Sequence, residues 1–223
     1  MALYRKSWAQ SRWSLTERGR SALTRSSDAL QIGPSTLRVD GDALQVHIFE
    51  RGFPLPFLLR GRVRILPEFR GGEAHLLSAN GNHFWWPIAP RARVEVRFDE
   101  PAVKWSGTGY LDCNVGDAPL EQSFRGWTWS RASLGRGAVV LYDVQAKGEP
   151  RRALALRFDR SLGPIALELP PRVRLPSTRF GIVRETHSEA QAEVLRTLTD
   201  SHFYARSLIS TKLFGERVIG MHE

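Results

Sequence analysis

Apolar and polar residues alternate with a period of two along most of this chain, the period of strands that bury one face. Leu44, Val46 and Ile48 share one parity, and Val94, Val96 and Phe98 share one further along, with Arg93, Glu95 and Arg97 between them. Residues 36–39 and 44–49 flank the turn Asp40-Gly41-Asp42, which predicts a hairpin. Residues 60–66, 103–112, 139–145, 153–158 and 194–210 continue the pattern. Only residues 188–195 admit one or two helical turns, and no other segment sustains a 3.6-residue period. The expected class is all-β, with short strands separated by Gly, Pro and Asp turns as in a sandwich or barrel. Polar turn residues between 117 and 133 mark a soft boundary, so two β domains are expected, 1–120 and 121–223.

Composition narrows the function classes. The chain has 223 residues, 42% of them hydrophobic and 25% charged, which suits a globular protein with a proper core. Its one cysteine, Cys113, excludes an internal disulfide framework and a zinc site built on paired cysteines. No secretory signal and no run of ~20 apolar residues is legible, so the expected location is cytoplasmic or peripheral on the inner membrane. The net charge of +9 comes from basic residues spread along the whole chain, and only Lys6, Lys104, Lys147 and Lys212 are lysines. Without a clustered basic stripe, nucleic acid is not the expected partner, whereas an anionic membrane surface suits the same charge. Walker, G-x-S-x-G, H-E-x-x-H and C-x-x-C motifs are missing, and the six histidines do not fall at metal-ligand spacing. A metal is not expected.

The capable side chains crowd into residues 107–131, GTGYLDCNVGDAPLEQSFRGWTWSR. In a strand, residues two apart point to one face. His83 and Trp85 therefore pair, as do Tyr110 and Asp112 with Asn114 following, and Trp127 and Trp129. If the strand around residues 82–86 lies near that of 109–114, an imidazole, an indole, a phenol and a carboxyl line one cavity. Each residue alone has an ordinary structural reading, as a core histidine, a barrel-core tryptophan pair or a turn-forming aspartate. Tyr110 and Asp112 fit that reading least, because a carboxyl on an inward apolar face carries a desolvation cost without a cationic partner. Such burial disfavours the charged form, the condition a proton donor requires.

The segment GYLDCNVGDAPLEQSFRGWTWSRA resembles the signature G-Y-x-D-x-N-x-G-x-x-P-L-E-x-x-F-x-x-W-x-W-S-R-A of bacterial carotenoid 1,2-hydratases, also called hydroxyneurosporene synthases. RWSLTERGRSAL, IGPSTLRVDGDAL, RGRVRILPE, HFWWPIAPRARVEV, VLYDV and TLTDSHFYARSLISTKLFGERVIGMHE agree in order, so the resemblance covers nearly the entire chain. It implies two lipocalin-like antiparallel β-barrels with an active site in an apolar cavity. It also implies addition of water to the terminal C1,C2 double bond of an acyclic carotenoid, of the neurosporene or lycopene type, without a cofactor. The residues it points to are His83, Trp85, Tyr110 and Asp112. Asp112 would protonate C2, Trp85 and Tyr110 would face the carbocation, and His83 would position water or return the proton. Trp127, Trp129 and Trp105 are the expected substrate-binding side chains. Where the family commonly has histidines flanking the aspartate, this chain has Leu111 and Cys113, both on the face opposite Asp112. It also resembles a member shortened at both ends, with the first barrel incomplete. Open alternatives are another polyene or isoprenoid substrate, a non-enzymatic lipocalin-like binder, and an inactive shortened homologue. A substrate this apolar implies peripheral membrane contact, for which the loop at residues 51–57 is the candidate.

Overall fold

The computed structural model describes every residue except 8–9, 53–54 and 136. Phe53 and Pro54, at the centre of the loop expected to meet the membrane, thus lie outside the described residues. The chain forms two compact units, Met1–Glu68 with Ala92–Tyr110, and Phe69–Arg91 with Leu111–Glu223. The elements run in order β1 (Ala2–Leu3), β2 (Arg12–Trp13), β3 (Leu23–Arg25), β4 (Ala29–Ile32), β5 (Ser35–Asp40), β6 (Ala43–Arg51), β7 (Leu58–Phe69), β8 (His75–Leu76), β9 (His83–Glu100) and β10 (Val103–Gly116). Then follow α1 (Leu120–Ser123), β11 (Phe124–Leu134), β12 (Gly137–Ala146), β13 (Arg152–Asp159), β14 (Gly163–Ala166), β15 (Arg172–Leu175), β16 (Arg184–His187), β17 (Glu193–Asp200), β18 (Ala205–Leu213) and β19 (Glu216–His222). The all-β expectation is borne out. One large sheet has the order β10-β9-β7-β6-β5-β4-β3 with β8 beside β9, and the other has β14-β13-β12-β11-β19-β18-β17. Among the described residues neither path closes on itself, and these large antiparallel sheets are consistent with a lipocalin-like β fold.

In the first unit the alternation works as expected. Val94, Val96 and Phe98 are buried, while Arg93 and Arg97 between them are exposed. The hairpin of β5 and β6 pairs Val39 with Leu44 and Asp40 with Ala43. Gly41 sits at its turn with φ 57°, a left-handed value that glycine adopts without a steric cost.

The second unit departs from simple alternation at β12, where every residue from Gly137 to Val144 is buried. A strand covered on both faces reads as a continuous apolar run. On one face Val139 and Leu141 pack with Ala132, Leu134, Ala155 and Leu213 into an apolar core. On the other, Tyr142 stands opposite Trp129 and Val144 opposite Trp127 in the β11–β12 register. The alternating run at 194–210 is two strands, β17 and β18, paired antiparallel. Residues 188–192 form no helix, and β17 begins at Glu193. Ser188 is tied to its neighbours instead: its N–H donates to Pro171 O at 2.9 Å, and its Oγ accepts the Lys212 N–H at 3.0 Å. The helical turn of this unit is α1, between β10 and β11.

Candidate active site

Three successive residues of one parity on β10 each receive a different partner. The Trp85 indole Nε1–H donates to Asp112 Oδ2 at 2.8 Å. Asn114 Oδ1 accepts the Tyr142 hydroxyl at 3.2 Å. Gly116 makes room for His83: a Cβ at this position would lie 2.1 Å from His83 Nδ1. The opposite parity carries Cys113, which is exposed. On β9 the spacing-two reading also works, since His83 is 2% and Trp85 0% exposed while Phe84 and Trp86 are 37% and 45% exposed.

An aromatic cluster packs around Trp85, the partner of the carboxyl. The Trp85 and Tyr142 rings meet edge to face with centroids 5.4 Å apart, and His75 stacks at a tilt 5.5 Å from Trp85. His83 shares a 2.7 Å hydrogen bond between Nε2 and Ser123 Oγ, and its ring meets that of Phe124 at 4.9 Å. The last turn before β11 thus anchors to the start of β9. Burial, and next the negative charges of Asp112 and Glu223, push the Tyr142 hydroxyl well above the usual phenol range, so it stays a neutral donor. Burial lowers the His75 pKa, offset in part by Glu73, which favours the neutral imidazole.

Two cavities of the second unit share residues with this cluster. A small pocket of 120 Å³ is lined by Leu77, Asn114, Phe124, Tyr142 and Val144, with Leu120, Trp127 and Glu223 completing it. The last three and Phe124 also line a cleft of 860 Å³ that continues over Ile182, Val183, Phe203 and Tyr204. Trp127 lies on the wall of both, whereas Trp129, 8% exposed, lines neither and stands opposite Tyr142 in the β11–β12 pair. In the second unit Trp85 meets Asp112, His83 meets Ser123 and Phe124, and Trp127 lies on the wall of two cavities that none of His83, Trp85 and Asp112 lines. Tyr110 is half-buried at the end of the first unit's residues, and Trp105, 48% exposed, also belongs to the first unit. The sequence reading passed over Tyr142, Ser123 and His75.

A buried ionic cluster occupies the other face of β12. Asp143 is 3% exposed, and its Oδ2 meets His187 Nε2 at 2.7 Å. Arg151 and Arg172 bond its Oδ1 at 3.1 and 3.3 Å. His187 Nδ1 meets the Pro170 carbonyl at 2.6 Å. Both ring nitrogens thus face acceptors, so both carry protons and the imidazole is a cation. Burial opposes that charge, while the hydrogen bonds to Asp143 and Pro170 raise the pKa, the net direction being upward. Burial likewise opposes the Asp143 carboxylate, but His187 and the two arginines hold its pKa below the usual range.

Among the described residues no three His, Cys, Asp or Glu side chains are grouped to hold a metal ion. Among the same residues no helix is long and apolar enough to cross a membrane.

The family model described as "Carotenoid hydratase CrtC" matches residues 1–223. The chain is 47% identical over 226 residues to an acyclic carotenoid 1,2-hydratase of Thiocapsa roseopersicina, with 100% of this chain and 55% of that protein aligned. A second protein of that description, from Rubrivivax gelatinosus, is 44% identical over 96% of this chain and 54% of its own length. A third, from Rhodobacter capsulatus, is 38% identical, with 95% and 76% aligned. The chain thus spans about half the length of the first two relatives. On the whole-chain match and the shared identity, this chain belongs to the carotenoid hydratase CrtC family.

Proposed function

We propose that this chain hydrates the terminal C1,C2 double bond of an acyclic carotenoid, of the neurosporene or lycopene type, without a cofactor. The observation that carries the reading is the Asp112 carboxyl held by the Trp85 indole at 2.8 Å within an aromatic cluster. Adding water to an unactivated trisubstituted alkene requires an acid, a surface that tolerates a tertiary cation, and one held water.

The Asp112 carboxyl, oriented by the indole, is assigned to proton delivery. The alkene π pair takes that proton to form the C2–H bond, which leaves the positive charge on C1. The Trp85 face stabilises this cation by roughly 2 kcal/mol or more once water is excluded. A water oxygen then bonds to C1, and its surplus proton returns to the Asp112 carboxylate, so the acid is regenerated and the net change is one added water. His83 is given a positioning role, through Ser123 and Phe124. Tyr110 enters the proposal on the family resemblance alone. Trp127 is assigned to the wall along which the polyene lies, and contact with an inner-membrane surface would supply so apolar a substrate.

Expressing this chain and its Asp112→Asn variant in a lycopene-producing bacterial host tests the reading. An asparagine amide oxygen still accepts the indole N–H but carries no transferable acid proton. Carotenoids heavier by one water with the parent chain, and none with a soluble variant, are the expected outcome. Polyene binding without product from either protein would instead establish a binder.

A further inference from the structure

We propose, resting on the hydration reading above, that the 120 Å³ pocket seats the branched end of the polyene with the attacking water. Tyr142 Oη is the acceptor that aims this water at C1. Neither Tyr142 nor Asn114 is among the four residues to which the family resemblance gives a role.

Three features carry the assignment. First, the pocket adjoins the 860 Å³ cleft, sharing Leu120, Phe124, Trp127 and Glu223 with it, so a chain lying in the cleft can place its terminus in the pocket. At ~30 Å³ for each water-sized group, 120 Å³ holds about four, enough for C1, its two methyl groups and one water. Second, the walls are mainly apolar: Leu77, Phe124 and Val144 are buried. A water placed there takes its hydrogen bonds from few groups. Third, the polar groups present have fixed directions. The Tyr142 hydroxyl proton is committed to Asn114 Oδ1, so the phenol oxygen faces a water as an acceptor. Glu223, the other polar lining residue, is paired with Arg206 at 2.6 Å.

A water that donates to the phenol oxygen turns a lone pair away from it, toward the carbon of the cation. The Tyr142 ring packs edge to face on Trp85, whose N–H holds Asp112, so acid and water positions are linked through one shared indole. The atoms balance as in the reaction above. The proton leaves Asp112 for C2, the water oxygen bonds to C1, and the released proton returns to the carboxylate. If no water is held, the cation collapses backwards: C2 loses a proton to the carboxylate and the alkene re-forms.

That reversal gives a readout that loss of fold does not imitate. The purified 223-residue chain is incubated with lycopene in detergent micelles in D2O, and mass spectrometry follows both the hydrated product and deuterium in the recovered lycopene. Tyr142→Phe keeps the ring and removes the oxygen. Hydration is expected to fall about tenfold or more, while deuterium at C2 of recovered substrate persists or rises. Asn114→Ala, at an exposed position, should shift the ratio in the same direction by a smaller factor, and it decides the matter if Tyr142→Phe does not fold. Asp112→Asn should lose both signals. An unchanged ratio of product to exchange in the folded Tyr142→Phe and Asn114→Ala variants overturns this inference while leaving the hydration reading intact. Neither signal from the parent chain overturns both.

Discussion

Replacing His187 by alanine should remove a specific, pH-dependent part of this protein's stability. Its imidazolium meets Asp143 at 2.7 Å and the Pro170 carbonyl at 2.6 Å, with both side chains almost fully buried. Breaking a buried pair by deleting one partner costs about 3–5 kcal/mol. The lower end applies to His187→Ala, because Arg151 and Arg172 still hold Asp143 Oδ1. Asp143→Asn should cost more, toward the upper end: His187 loses its carboxylate, and the two arginines are left with Glu185, at 3.3 and 3.7 Å, as their acid among the described residues. The His187 pKa is raised on folding, so its contribution is complete below the unfolded value of 6.5 and is lost as pH rises through the higher folded value. The Asp143 pKa is lowered, so its contribution is present above 3.8 and is lost as pH falls through the folded value. The pair is strongest between those limits. Urea unfolding of parent and His187→Ala, followed by tryptophan fluorescence from about pH 6 to pH 9, measures the difference directly. The two should converge as pH rises, because the parent alone loses this contribution. Curves that stay parallel across the range would refute the charged, doubly bonded histidine.

Two further substitutions probe the candidate site. Gly116→Ala places a Cβ 2.1 Å from His83 Nδ1, and His83 is held by Ser123 and Phe124, so the overlap should cost about 1–3 kcal/mol. Thermal unfolding should show the drop, and a double variant with His83→Ala should recover part of it; no drop would remove the close approach from the account. Trp85→Phe deletes the donor to Asp112 Oδ2 and should destabilise by about 1–3 kcal/mol. Hydration should fall with it, while a lycopene absorbance shift on binding should remain.

Much of the fold was legible because most strands bury one face, and a period of two then shows in the sequence. The exceptions have physical causes. β9 is one long strand, yet its two alternating halves meet at Pro87 and Pro90, which read as interruptions; both prolines are fully buried within the strand. The site was legible where it depends on residues two apart in one strand, as for His83 with Trp85. Partners distant in sequence are invisible to periodicity: His83 with Ser123, Asp143 with His187, Asn114 with Tyr142. One signal was available for Tyr142. A two-residue connection between Leu134 and Gly137 fixes the hairpin register and puts Trp129 opposite Tyr142. Counting back from that turn would have placed the tyrosine beside the W-x-W pair.

The parity of β10 has an evolutionary consequence. Asp112, Asn114 and Gly116 each meet a required neighbour, whereas Leu111 and Cys113 stand on the other face of the strand. Constraint and freedom to drift are thus interleaved at single-residue spacing. Point substitutions at the odd positions are cheap routes for divergence, and the two departures from the family pattern, Leu111 and Cys113, fall there. A one-residue insertion or deletion within the strand is different in kind, because it would turn the acid, the amide and the glycine to the wrong face in a single event. This lineage is therefore expected to explore chemistry by substitution along β10 and to vary its length only outside that strand.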